Sequence, residues 1–327
     1  MRVLYYVSDT NIPSWGVGMV YTHVRMLCAN GINAAVLHGK RGFRPDWMGF
    51  DAPRLYRNDK SFRAAADDMV VIPEVHAADP EALNLSRRRI VFVQASSYIE
   101  AGFGKTRNSE RNYTRLGYAG AMTTMPHIRR IVEQHYGIAA PVVPPCIAPW
   151  FFGTANGPRK KQVVLCPKPW CQDYPIIRQM LAARARALGW SVLEMADSPH
   201  KQVARAFQRA AIHVNVNCHE SFNATVPEAM AAGCIAICYE AFGGRDFLRN
   251  KRNAYVFPTH HAYPLVEHTL ALMASWDARA AETEKIRQRA AATAARYTEA
   301  VTERALLRFF RAFIRSSRKN RRIDASL

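Results

Sequence analysis

Residues 214–237 read VNVNCHESFNATVPEAMAAGCIAI, and this stretch decides the fold class. An apolar run ends at Asn215-Val216-Asn217, a short polar loop follows, and residues 225–232 have a helical composition. Gly233 stops the helix, and residues 235–239 are apolar again. Strand, loop, helix, glycine and strand in that order make a parallel β-α-β unit, whose strands are covered on both faces and read as unbroken apolar runs. Upstream the alternation continues, with strands at 162–166, 191–195 and 212–217 and helices at 176–188 and 201–210. Further back lies a break at 144–161, PPCIAPWFFGTANGPRKK, rich in Pro and Gly. Before it, strands are predicted at 2–7, 32–37, 69–72, 90–94, 121–124 and 142–143. A loop with Gly16 and Gly18 leads to a helix over 20–29 that Asn30-Gly31 ends. The class is α/β, with two Rossmann-like layers predicted as domains 1–150 and 151–299 and a cleft between them, at strand carboxyl ends, for ligands.

The chain has 327 residues, 49% of them hydrophobic and 22% charged, a composition that supports a folded core and excludes disorder. Lysine and arginine number 45 against 26 acidic residues, a formal charge of +19 that favours phosphate-rich or anionic partners. The seven cysteines keep no metal-ligand spacing and several sit in apolar runs, so they read as reduced thiols in a cytoplasmic protein. The opening MRVLYYVSDTNIP is too short an apolar run for a signal-peptide core, and no run approaches the ~18 apolar residues of a membrane span.

Two carboxylates flank the loop of the deciding segment. Glu220 lies in it and Glu228 falls eight residues on, near the start of the helix. Between them Ser221, Phe222, Asn223, Ala224 and Thr225 place backbone N–H groups at a helix N-terminus, where anions bind. That arrangement suits a nucleotide sugar. The plainer alternative is that Thr225 or Asn223 caps the helix while Glu228 complements its dipole.

Glu220-x7-Glu228, the Ala229-Met230-Ala231-Ala232-Gly233 helix end and the Ile235-Ala236-Ile237 strand resemble the E-x7-E region of the retaining GT-B glycosyltransferases of the GT4 class. Val143-Pro144-Pro145-Cys146-Ile147 is similar to that family's hinge, and Gly243-Gly244-Arg245-Asp246-Phe247 to its Gly-Gly loop. The resemblance implies a metal-independent, retaining transferase of the GT-B fold, with no cofactor beyond its nucleotide-sugar substrate. It also implies roles. Glu220 would touch donor-sugar hydroxyls, Glu228 the ribose, the amides of 222–225 the diphosphate, and Lys168 the charge that grows on the leaving diphosphate. The family's second cation does not follow Lys168, where Pro169, Trp170, Cys171, Gln172 and Asp173 stand, so it is either missing or supplied from elsewhere, by Arg245 or a residue of the first domain. Gly16 and Gly18 would approach the donor phosphates, against the alternative of a plain turn.

Gln94 and His127 are candidate acceptor or sugar contacts, with Thr124 and residues 96–98 near them, and Asp197 is a candidate base. An NAD site is disfavoured, because the third fingerprint glycine is absent and residues 37–38 are Leu-His where an acid would hold the ribose. The chain contains no Asp-x-Asp motif of the metal-dependent transferases. Residues 301–327 carry eight basic and two acidic residues, and Leu306, Phe309, Phe310, Phe313 and Ile314 share one helical side. That segment, over 300–327, is expected to pack back on the first domain with its apolar side. Its cations suit the inner face of an anionic membrane, or an anionic glycan or lipid-linked acceptor. Dispersed cations without a recognition motif argue against nucleic acid. The expected activity is sugar transfer in surface polysaccharide synthesis, with a nucleotide-sugar epimerase and a non-catalytic nucleotide- or glycan-binding module as the alternatives.

Overall fold

The computed structural model describes residues 1–153, 159–168, 171–196 and 198–324, the side chains as far as Arg315; Asp197, Pro169, Trp170 and the last basic side chains lie outside the described residues. The chain forms two compact units, Met1–Pro145 with Ala300–Leu327, and Cys146–Glu299.

The first unit holds β1 (Val3–Tyr6), α1 (Trp15–Ala29), β2 (Ala34–His38), β3 (Arg54–Tyr56), β4 (Met69–Pro73), α2 (Pro80–Asn84), β5 (Arg89–Val93), α3 (Ile99–Phe103), β6 (Tyr118–Thr123) and α4 (Pro126–His135). Its parallel sheet has the order β3-β2-β1-β4-β5-β6. Every residue of β1, β2 and β4 is buried, the physical reason their sequences are uninterrupted apolar runs. Two expectations need correction here. Gly16 and Gly18 lie inside the first turn of α1, not in a loop before it: Ser14 caps the helix by accepting from the Val17 N–H, and the Gly18 N–H donates to the Ser14 carbonyl. Residues 142–143 form no strand; Val142 makes a single bridge to Thr123.

The second unit holds β7 (Lys160–Leu165), α5 (Tyr174–Ala185), β8 (Ser191–Glu194), α6 (His200–Arg209), β9 (Ala210–Asn215), α7 (Thr225–Ala231), β10 (Ile235–Tyr239), α8 (Gly244–Phe247), β11 (Tyr255–Phe257), α9 (Ala262–Ala274) and α10 (Ala280–Ala294). Its parallel sheet has the order β11-β10-β9-β7-β8. β9 and β10, central and fully buried, carry the candidate loop between them.

The last helix, α11 (Glu299–Asp324), lies against the first unit. Leu306 and Phe310 are fully buried; the Phe310 ring lies 6.4 Å from that of Tyr5. Phe313 fits where Gly120 has no side chain: a Cβ there would come within 2.7 Å of the ring. Asn30 Nδ2 donates to Glu303 Oε1 (2.6 Å), and Thr302 Oγ1 to the Pro144 carbonyl (2.8 Å). Among the described residues no helix is long and apolar enough to cross a membrane.

Candidate functional site

The loop from β9 to α7 is built on asparagines. Asn215 Oδ1 accepts from the Asn217 N–H (3.0 Å) and from Asn223 Nδ2 (2.9 Å), Asn223 Nδ2 also donates to the Asn217 carbonyl (3.1 Å), and Asn215 Nδ2 donates to Thr225 Oγ1 (2.7 Å). These bonds hold Asn223 in the left-handed region at φ 52°, a conformation asparagine tolerates better than most residues. Of the plainer alternative only the placement of Glu228 in the first turn of α7 holds. Neither Thr225 nor Asn223 caps α7; the position before it is Ala224, without a side-chain bond. The Phe222 ring is buried on Phe247 and Tyr297, so only its backbone faces the loop. Against this loop lies Gly243, where a Cβ would sit 1.4 Å from the Ser221 carbonyl oxygen.

Lys168 follows β7, and its charge acts on Glu220 at the far side of the loop. Burial is the main reason the Glu220 carboxyl is held above its ordinary value; the charge of Glu228 pushes the same way and Lys168 opposes both. Glu228, in the first turn of α7, is 5% exposed, and its Oε1 accepts from His200 Nε2 at 2.9 Å. Burial alone would lower the His200 pKa, but the bond to Glu228 and its charge raise it above the ordinary value. Cys166, beside this group, is pushed up to about 12 by burial and is an unreactive thiol. Arg245 pairs with Glu240 (3.1 Å) and stands over the exposed Phe242 ring.

The structure thus brings Lys168, Glu220 and Glu228 to one end of the second sheet, with residues 221–225 between the carboxylates. In the first unit Gly16 meets Gln94: a Cβ at Gly16 would stand 3.3 Å from the Gln94 amide. Thr124 Oγ1 donates to the Gln94 carbonyl, and His127 is buried on α4. His200 carries no motif, and its link to Glu228, 28 residues on, has no signature in spacing. Glu74, directly after β4, belongs to no motif either, although an acid closing a buried apolar strand is itself a signal.

Residues 181–290, a span that includes both glutamates, match the family model described as glycosyl transferases group 1. In three dimensions the chain is similar to sucrose-phosphate synthase from Thermosynechococcus elongatus (TM-score 0.70, 10% identity, 97% of this chain and 100% of that one). It is also similar to a glycosyltransferase from Rickettsia africae (0.66, 11%, 96% and 98%) and to Anabaena HepE in complex with UDP (0.67, 11%, 95% and 100%). The fold is GT-B. No curated protein matches the chain in sequence. Family match and fold together support transferase activity for this GT-B chain, and the match falls on the unit that carries the carboxylates.

Proposed function

We propose that this GT-B chain transfers a sugar, with retention of configuration and without a metal, from a nucleoside diphosphate sugar to a glycan or lipid-linked acceptor in surface polysaccharide synthesis, as a cytoplasmic enzyme peripheral to the inner membrane face. The observation that carries the reading is the meeting of Lys168, Glu220 and Glu228 around the loop that opens α7. In this reading Glu228 accepts from the ribose hydroxyls, and the backbone of residues 222–225 lies along the diphosphate. Lys168 stabilises the charge that develops on the leaving phosphate as the glycosidic bond breaks, an interaction stronger in the transition state than in the ground state. Glu220 orients donor hydroxyls. Gly16, Gly18, Gln94 and His127 belong to the unit that would take the acceptor.

HepE, at 11% identity, was crystallised with UDP and with UDP-glucose, so UDP heads the nucleotides to try. The second reading is a non-catalytic nucleotide- or glycan-binding module; its support is Arg245, whose pairing with Glu240 leaves the second cation of the diphosphate clamp unaccounted for. The test is calorimetry and thermal shift with UDP, GDP, ADP, CMP and TDP, without added metal, on wild type and Glu228→Ala. One nucleotide should bind, and the variant should lose about 1.5–3 kcal/mol, the worth of hydrogen bonds to a charged group. Undiminished affinity in a folded variant removes the ribose assignment. No binding by any nucleotide favours the module.

A further inference from the structure

Glu228 is a buried carboxylate, and its Oε1 lies 2.9 Å from His200 Nε2. The donor is Nε2–H, since an ionised carboxylate only accepts. The imidazole is held in place from behind. α6 packs on the turn Pro149–Phe151, where the fully buried Phe151 ring meets it edge-on at 4.7 Å and Trp150 at 5.9 Å. Lys201 Nζ stands 5.5 Å from the Trp150 ring. The imidazole ring is half-exposed.

We infer that His200 is a positioning residue of the nucleoside subsite, fixing Oε1 of Glu228 so that Oε2 is presented to the vicinal hydroxyls of the ribose. The inference rests on the ribose role given to Glu228 above. A lone carboxylate this buried would be costly to keep charged, and a carboxylate that protonates loses half its accepting capacity. His200 gives one of the two oxygens a partner, at 2.9 Å. The groups facing the imidazole are few. α7 brings Glu228, the turn before β7 brings only Trp150 and Phe151, and Lys201 on α6 lies over Trp150. β9 carries His213, buried and driven down to about 4 by its burial, while after β7 Lys168 acts on Glu220, and Cys166 feels the charges of Glu228 and Lys168. Glu228 therefore keeps the His200 imidazole protonated to higher pH than it would be without that partner.

The probe is UDP-glucose, or the sugar nucleotide of whichever base the panel selects, because its phosphodiesters do not titrate between pH 6 and 9. Affinity is measured by calorimetry across that range for wild type, His200→Ala, His200→Gln and Glu228→Ala. Wild-type affinity should fall severalfold as pH rises and the imidazolium is lost. His200→Ala should bind about tenfold more weakly at pH 6, and His200→Gln, which keeps an N–H at the same reach, should recover most of that loss with a flat profile. Binding by His200→Ala as tight as wild type, or tighter, overturns the proposal, the tighter result making His200 a blocker of the site. So does a His200→Gln profile that follows wild type. Loss in Glu228→Ala alone overturns only the role of His200; loss in neither overturns the ribose assignment itself.

Discussion

Glu74 follows the apolar run of β4 and is 2% exposed, with its Oε1 accepting from the Ala95 N–H at 2.8 Å. Among the described residues its Oε2 and the hydroxyl of the fully buried Tyr113 have no hydrogen-bond partner, and the Glu74 charge adds to burial, the larger cause, in raising the Tyr113 pKa. Burial raises the Glu74 carboxyl to about 7, against the opposing backbone bonds from Gln94 and Ala95. A carboxyl raised on folding helps the folded state only while it keeps its proton. That contribution is full below the unfolded value of 4.5 and is lost progressively as pH rises to about 7. The full loss is on the order of 3 kcal/mol. Glu74→Gln keeps the acceptor for Ala95 and offers an amide N–H toward Tyr113, so it should raise the thermal midpoint by several degrees at pH 8 and by little at pH 5. An equal shift at both pH values would show that Glu74 is ionised in the fold or uncoupled from its stability.

Among elements, the loop before α7 and the loop before α8 touch by backbone. Gly243 has φ −73°, an ordinary value, so its requirement for glycine is steric: Cβ would occupy the Ser221 carbonyl. Gly243→Ala should therefore move the 216–224 loop, cost about 1–3 kcal/mol in the manner of overpacking, and weaken nucleotide binding tenfold or more. Gly49→Ala, with open space around its Cβ, is the control and should change neither. A Gly243→Ala protein with wild-type melting and binding would mean the contact is not kept in solution. The same elements show what the sequence carries. Glu220, Glu228 and Lys168 are readable because a strand-loop-helix unit places them by local geometry. The parallel strands are readable because burial on both faces makes apolar runs. The three-residue edge strand β3, half-buried throughout, has no such run, and glycines in the first turn of α1 imitate a loop although the Ser14 cap starts the helix. The asparagine network and the His200–Glu228 bond depend on segments that meet only after folding, so neither has a local pattern to read.

For the whole molecule, the excess of cations is most ordered on α11. Its apolar side is consumed by the first unit, through Leu306, Phe310 and the Phe313 fit at Gly120. Arg304, Arg308, Arg311 and Arg315 recur at intervals of four, three and four residues and are all exposed, lining one shallow strip with Leu307 and Ala312. Over that span the helix rises about 16 Å, close to one arginine per turn. The sequence continues the spacing with Arg318 and Arg322. A helix whose apolar side is already packed has nothing to insert between lipids, so contact with an anionic membrane would be electrostatic only, about 1 kcal/mol per arginine at the surface. Salt then becomes the discriminating variable, because the Debye length shrinks from about 10 Å at 0.1 M to a few ångströms near 1 M. The protein should float with vesicles containing phosphatidylglycerol at 50 mM salt, be released at 0.5 M, and ignore vesicles of phosphatidylcholine alone. Reversing Arg304, Arg308, Arg311 and Arg315 to Glu should abolish flotation while leaving melting and nucleotide binding unchanged, since none of the four contributes to the packed side. Flotation that survives both salt and reversal would require an inserted apolar segment elsewhere. No flotation at low salt, together with retention on a soluble anionic polysaccharide, would assign the strip to an acidic acceptor instead of a membrane.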